Sequence, residues 1–423
     1  MLKCTTATVT ILLFTVLCPG QTLKQNSHLE QTWSQWRGPR RDGSLTNTDL
    51  PDSLSQQQFQ LRWKIPLGPG YSGPVISSDR VFVTETIDEK TEVVRALDRE
   101  TGKLNWKQSW PGALSVPFFA KANGDWIRAT PGYDGERLYV AGIRDILVCL
   151  EAATGKILWK IDFVDQMNAK LPAFGFASSP LVTDQAVYVQ AGGGFCKVDK
   201  LTGEVKWRVL EDGGGMFGSA FSSPYLTTLD GIPQILVQTR TTLAGVDPVS
   251  GKVFWEQKIP AFRGMNILTP TVYQNSVFTS SYGGRSFLFE ISQTNDGWQV
   301  KELWTNPMQA YMSSPLIIGD SLYLHLKNQR FTCLDLKTGK ARWTTSPYGK
   351  YWSMVTDGRK ILALDQKGDL LLIKANPEKF ELLDSHHVAE DSWAHLAVIG
   401  QDVYVRALDE LVMYSTKSFE QTK

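Results

Sequence analysis

Residues Pro131 to Lys160 read PGYDGERLYVAGIRDILVCLEAATGKILWK. A short run follows the proline. An alternating run comes next at Leu138-Tyr139-Val140, then an apolar run from Ile146 to Leu150, then a run that reaches Trp159. Glu151, Thr154, Gly155 and Trp159 punctuate the second half. An acidic residue at a strand end accepts hydrogen bonds from backbone N–H groups of the following turn. Gly supplies the φ > 0 position that a tight hairpin needs. Trp on the next strand fills a gap between neighbouring sheets with a large flat ring. The stretch predicts a unit of four short strands joined by hairpins.

The unit repeats. Acid, Thr or Ser, Gly and Trp recur as Asp98, Thr101, Gly102, Trp106; as Asp199, Thr202, Gly203, Trp207; as Asp247, Ser250, Gly251, Trp255; and as Asp335, Thr338, Gly339, Trp343. A proline opens six units, at Pro74, Pro131, Pro180, Pro224, Pro270 and Pro315. Four-stranded units of ~40–50 residues are the signature of a β-propeller.

Counting gives eight units. The fifth loses the turn motif but keeps Phe289, Glu290 and Trp304. The seventh is degenerate, with Phe380 read in place of Trp. The eighth runs from Val403 to Tyr414 and lacks an outer strand, while Leu61 to Ile65, with Trp63, is an outer strand without a unit. The expectation is an all-β, eight-bladed propeller of four-stranded antiparallel blades, its ring closed by the N-terminal strand near Trp63. Closure removes exposed sheet edges. Seven of the 14 tryptophans (63, 106, 159, 207, 255, 304 and 343) then belong to blades. One ring replaces the three domains that 423 residues would suggest at roughly 150 per domain.

The expected layout is a signal peptide at 1–20, an N-terminal strap at 21–60, the propeller at 61–416 and a tail at 417–423. Lys3, an apolar stretch from Ala7 to Leu17 and small residues at Cys18 and Gly20 read as a secretory signal. At ~11 residues the stretch is too short to span a bilayer. The location implied is periplasmic or secreted. Lipidation at Cys18 is a weaker alternative, because Leu17 sits where a small residue is expected. Trp33 and Trp36 read as a strap packed on the ring.

The composition is that of a globular protein, 42% hydrophobic and 21% charged. Lys plus Arg less Asp plus Glu is 44 − 43 = +1, which gives no global field for nucleic acid. Peripheral membrane association stays open, and a monomer is expected. Cys149, Cys196 and Cys333 form no Cys-x-x-Cys; Cys149 and Cys333 read as buried small hydrophobes. No Gly-x-Ser-x-Gly, His-Glu-x-x-His or Cys-x-x-Cys-His motif occurs. His386, His387 and His395, near Asp384, Glu390 and Asp391, match no ligand spacing and read as a solvated inter-blade loop. No catalytic residue and no metal ligand is assigned.

Units of the form Ser-Ser-Pro, alternating strand, Leu-Asp-x-x-Thr-Gly-Lys, Trp resemble the pyrroloquinoline-quinone-type repeat. That repeat builds quinoprotein alcohol dehydrogenases and also the non-enzymatic propeller that assists outer-membrane β-barrel assembly. The resemblance covers roughly Leu61 to Tyr414. The segment Trp33-Ser34-Gln35-Trp36-Arg37-Gly38-Pro39 is similar to the start of secreted propellers of planctomycete type. The dehydrogenases imply pyrroloquinoline quinone on a Trp platform, calcium held by carboxylates and an amide, an Asp base and often adjacent cysteines. No Cys-Cys pair is present, and the chain is shorter than those enzymes.

In a propeller the loops that lead into the innermost strands form one mouth of the channel. Reading the units upstream of the proline column gives Tyr71, Trp126, Arg128, Phe176, Phe221, Arg263, Tyr311, Lys350, Tyr351 and Trp393 as candidate ligand-binding residues. Aromatic platforms with a few cations suit a peptide, a glycan or a flat cofactor, unless the side chains plug the channel. A second series (Arg144, Arg240, Arg285, Arg330, Arg406) is expected between the second and third strands of the blades, facing either this mouth or nearby carboxylates.

The expected function is a non-catalytic extracytoplasmic scaffold that binds a protein, peptide or glycan and needs no cofactor. Two alternatives stand beside it. One is a reduced quinone-dependent dehydrogenase of alcohols or sugars, with calcium. The other is an outer-membrane β-barrel assembly scaffold.

Overall fold

A computed structural model describes residues 32–216, 218 and 221–417. The signal segment, the start of the strap and the end of the tail lie outside these residues, as does Cys18. The described chain forms eight four-stranded antiparallel sheets. Seven are consecutive in sequence, from Val75–Ile76 onward; the eighth adds Gln60–Pro66 to the strands of residues 397–415. Leu61 pairs with Tyr414 and Trp63 with Met413, so the ring closes where the orphan strand predicts.

Blade 2 carries the logic of the repeat. Its strands are Gly132–Tyr133, Arg137–Gly142, Ile146–Glu151 and Ile157–Asp162. The innermost strand starts directly after Pro131, where a residue without an N–H costs the ladder nothing. The next two strands alternate across both faces and are buried almost throughout. The acidic residue does what its position implies. Asp98 accepts from the Thr101 N–H at 2.8 Å, Asp199 from Thr202 at 3.0 Å and Asp335 from Thr338 at 2.9 Å.

The outer strand slips by one residue before its tryptophan, as between Cys149–Trp159 and Leu150–Ile157. That β-bulge turns the indole toward the next blade. There the ring lies on the motif glycine and donates to a carbonyl of the same turn. Trp63 meets Gly102 and the Arg99 carbonyl (3.1 Å); Trp106 meets Gly155 and Ala152 (3.0 Å); Trp159 meets Gly203 and Lys200 (3.2 Å). The glycine thus serves two ends, a positive φ and a surface bare enough for an indole.

Blade 7 departs from the sequence reading. Its register aligns Leu372 with Asp384 at the tryptophan position, not Phe380. Phe380 sits upstream and packs on Trp343 of blade 6, ring centroids 5.9 Å apart. Asp384 instead binds the strap, accepting from the Leu54 N–H and the Ser53 hydroxyl, both at 2.7 Å. Of the tryptophans left unassigned, Trp110 donates to Glu92 and Trp298 stacks on Phe254. Cys149, Cys196 and Cys333 are free and buried.

Candidate functional site

The channel has a floor, and the strap makes it. Trp33 bridges Ile76 of blade 1, and the Ser34 carbonyl accepts from Tyr133 of blade 2. Gln35 accepts from the Val182 N–H of blade 3. Arg37 donates to the Pro315 carbonyl of blade 6, and Ser44 bridges Thr356 of blade 7. Residues 33–44 therefore cross the channel from one side of the ring to the other.

Two fully buried guanidiniums hold this crossing. Arg41 donates to the carbonyls of Pro180 (2.7 Å) and Ser179 (3.0 Å). Burial pulls Arg41 down to about 9 and Arg37 to about 10. Both lie against the Trp36 ring, their Cζ atoms 5.8 and 5.5 Å from its centroid. The ring itself closes the bottom of a cavity of about 840 Å³, with His395 edge-on at 5.8 Å. The sequence reading put Trp36 on the ring surface and His395 in a solvated loop; both line this cavity. Burial keeps His395 neutral, with its pKa pushed down to about 3.

Above the floor runs a belt of hydroxyls from the Ser-Ser-Pro column. The Gly73 N–H donates to Thr130 Oγ1 (3.0 Å), Thr130 to Ser179 Oγ (3.0 Å), and Ser179 to Ser223 Oγ (2.9 Å). Each bond joins one blade to the next, which gives that motif a physical role.

The mouth is an aromatic arc. Tyr71 stacks on Trp393 at 4.9 Å, Trp393 meets Tyr351 at 4.4 Å, Tyr351 meets Tyr311 at 5.9 Å, and Tyr311 meets Tyr282 at 4.6 Å. Opposite, Phe119, Phe174 and Phe221 continue in steps of 6.2 and 5.8 Å. The Arg263 guanidinium lies 5.1 Å from the Phe262 ring and 5.9 Å from Phe119. It touches rings carried by the loop between blades 4 and 5 and by the loop between blades 1 and 2.

Of the ten candidate residues, Tyr71, Arg128, Phe221, Arg263, Tyr311, Tyr351 and Trp393 line the cavity. Trp126 stands behind Tyr71 at 6.0 Å. Phe176 is elsewhere, only 2% exposed in the core between blades 2 and 3 against Phe163. Its neighbour Ala177 lines the cavity; adjacent residues of an extended segment point opposite ways. Lys350 borders a separate hollow of about 340 Å³ with Lys327, His325 and Tyr311. Phe119, Phe174, Phe262 and Tyr282 were missed, because their loops carry no repeat motif.

Of the second arginine series only Arg240 lines the cavity. The others bind elsewhere: Arg144 to the Ala113 carbonyl, Arg285 to the Thr305 hydroxyl, Arg330 to the Thr345 carbonyl and Arg406 to the Gly68 carbonyl. The histidines at 386 and 387 end an outer strand, where His387 meets Asp369 and Glu390.

The cavity is lined by aromatic rings, methionines, hydroxyls, three guanidiniums and the neutral imidazole of His395. Among the described lining residues there is no Asp, Glu, Asn or Gln. Calcium takes six to eight oxygen ligands rich in carboxylates. The residues present therefore do not fit a calcium–quinone centre, and no group of three His, Cys, Asp or Glu among the described residues is placed to hold a metal.

A family model described as "Outer membrane protein assembly factor BamB" matches residues 89–345. The chain belongs to this family. It is 23% identical over 327 residues to the BamB of Moranella endobia (strain PCIT), which covers 73% of this chain and 77% of the relative. It spans 63% and 66% of two further relatives of that name. The crystal structure of BamB from Moraxella catarrhalis superposes with a TM-score of 0.60 at 15% identity, over 86% of this chain and 99% of that one. A europium-containing methanol dehydrogenase superposes at 0.53 and 13%, over 92% and 99%. At such identities these structures share the fold; function rests on the site.

Proposed function

We propose that this chain is a non-catalytic extracytoplasmic scaffold of outer-membrane protein assembly, and that its blind cup holds a segment of a partner protein. The observation that carries the reading is the donor set of the cup. Aromatic faces, methionines and guanidiniums are the groups that anchor protein interfaces. A quinone-dependent dehydrogenase would need a carboxylate base and an oxygen cage for a cation there; the described lining has no carboxylate, and burial leaves its one imidazole, His395, a weak base with a pKa pushed down to about 3. Sugars are held through paired hydrogen bonds, for which Asp, Glu, Asn and Gln are suited; the described lining has none of these. Family membership supports the assembly role, and the apolar N-terminal stretch supports export.

Photo-crosslinking in the native cell tests this. A photoreactive residue at Tyr311 is expected to capture outer-membrane assembly components, whereas one at Leu201, exposed on a blade turn, is not. Turnover of an alcohol or sugar by the purified protein with added quinone and calcium would overturn it.

A further inference from the structure

We propose that the cup selects an acidic segment bearing aromatic side chains, and that Arg263 closes over it. This rests on the reading of the cup as a peptide site.

Arg128, Arg240 and Arg263 line the cavity, Arg37 and Arg41 lie under its floor, and no carboxylate lines it. The nearest acids are engaged or set back. Asp125, whose charge acts on Arg128, accepts from the Val116 N–H at 3.0 Å, and Asp212, whose charge acts on Arg240, accepts from Gly214 at 3.0 Å; both stand outside the lining, which leaves the cations in excess there. Asp391 lies near Tyr71, whose phenol is pushed up by burial first and by this carboxylate second. Among the described residues neither Arg128 nor Arg263 forms an ion pair; Arg128 donates only to the Gly124 carbonyl. Cations gathered in a concave, low-dielectric site focus their field on what enters. A carboxylate gains charge-assisted hydrogen bonds there, and a lysine meets like charge.

The Tyr282–Tyr311–Tyr351–Trp393–Tyr71 arc offers ring faces and edges in succession for an aromatic side chain. Met216, Met265 and Met312 add adaptable apolar surface. Phe119 and Phe262 stand at the rim with 54% and 50% of their surface exposed, unusual for phenylalanine without a partner.

Arg263 has φ 51° and ψ 29°, a left-handed conformation that costs a non-glycine residue free energy. Arg240 holds it there by donating to the Arg263 carbonyl, and Gly264 packs on the Arg240 side chain. The strain keeps a guanidinium suspended between two rings from loops three blades apart. Positive φ occurs at several non-glycine residues of the chain, but two of them, Arg263 and Tyr351 (φ 54°), carry side chains that line the cup.

The test uses the purified full chain and fluorescein-labelled peptides of alternating Glu-Phe, Lys-Phe and Glu-Ala, followed by anisotropy. Glu-Phe is expected to bind at least about tenfold more tightly than either of the others and to weaken as salt rises. Arg263→Gly removes the guanidinium and relieves the positive φ, so its thermal midpoint should hold or rise while Glu-Phe affinity falls about tenfold. Equal binding of Glu-Phe and Lys-Phe overturns the charge selectivity and leaves the peptide site standing. Undiminished binding by Arg263→Gly overturns the clasp. Binding of an acidic glycan with no peptide bound overturns both this inference and the reading beneath it.

Discussion

The indole of Trp106 lies over Gly155 of the next blade so closely that a Cβ on that glycine would fall 2.5 Å from the ring. The contact welds blade 1 to blade 2, and its equivalents recur around the ring. It gives the first prediction. Gly155→Ala meets two penalties, a φ of 76° and the clash with the ring. Gly135→Ala meets only the first, with a φ of 102° and nothing within 4 Å. The positive φ alone should cost ~1–2 kcal/mol, and the overpacked ring a further ~1–3 kcal/mol. Denaturant unfolding should therefore show Gly155→Ala as clearly the less stable of the two.

That contact also shows why the ring was legible. Acid, Thr, Gly and Trp act through turns and adjacent blades, so their spacing is written locally. Asp384 could not be read as the blade 7 substitute, because its partners Ser53 and Leu54 lie about 330 residues away in sequence. The floor was illegible for the same reason. Arg41 binds carbonyls of blade 3, and nothing about a carbonyl marks it in a sequence. The mouth was half legible. Tyr71, Tyr311, Tyr351 and Trp393 hang from the proline column, whereas Phe119 and Phe262 arrive on loops of irregular length. Phe176 failed on direction alone: it stands one residue from a lining position and points into the core.

The strap should behave as a part of the fold. Arg41→Met leaves the Pro180 and Ser179 carbonyls without their donor in a buried site. Hydrogen bonds from charged groups are worth ~1.5–3 kcal/mol each, so a loss of about 3 kcal/mol is expected. Arg41→Lys should recover only part of it, because an ammonium cannot fork to both oxygens. Tryptophan emission should shift to the red in both variants as Trp36 loses its footing. Cleavage by protease within residues 33–44 should rise in step. A strap that stays resistant in Arg41→Met would contradict the role given to this guanidinium.

Divalent cations should do nothing at the cup. Occupation of a specific site at a hundredfold excess over its dissociation constant adds ~2.7 kcal/mol of stability. Such a gain raises the melting temperature by several degrees. With no carboxylate among the described lining residues, calcium or a chelator is expected to move it by less than about 1 °C. A larger rise with calcium would reopen the dehydrogenase reading.

Glu92 sets a dependence on pH. Its side chain is fully buried between blades 1 and 2, accepting from the Ile143 N–H and Trp110 Nε1, each at 2.6 Å. These donors favour the carboxylate, but burial outweighs them and pushes the pKa up to about 7. The unfolded chain holds this group near its ordinary value of 4.5. Between the two values the folded state binds a proton that the unfolded state lacks. Stability therefore falls as pH rises through that window, by roughly 3 kcal/mol from this group at ~1.4 kcal/mol per pKa unit. Asp145, raised to about 7 by burial between blades 2 and 3, slopes the same way. His395 and His325, pushed down by burial to about 3 and about 4, slope the opposite way below about pH 6.5, but do so in wild type and variant alike. Glu92→Gln removes the Glu92 titration and turns an amide N–H toward a donor. The variant should be less stable at pH 5 by ~1–3 kcal/mol. It should also lose part of the slope between pH 5 and 8, so that the two proteins converge on the alkaline side. Parallel melting curves for wild type and Glu92→Gln across that range would show that this carboxyl does not titrate with folding.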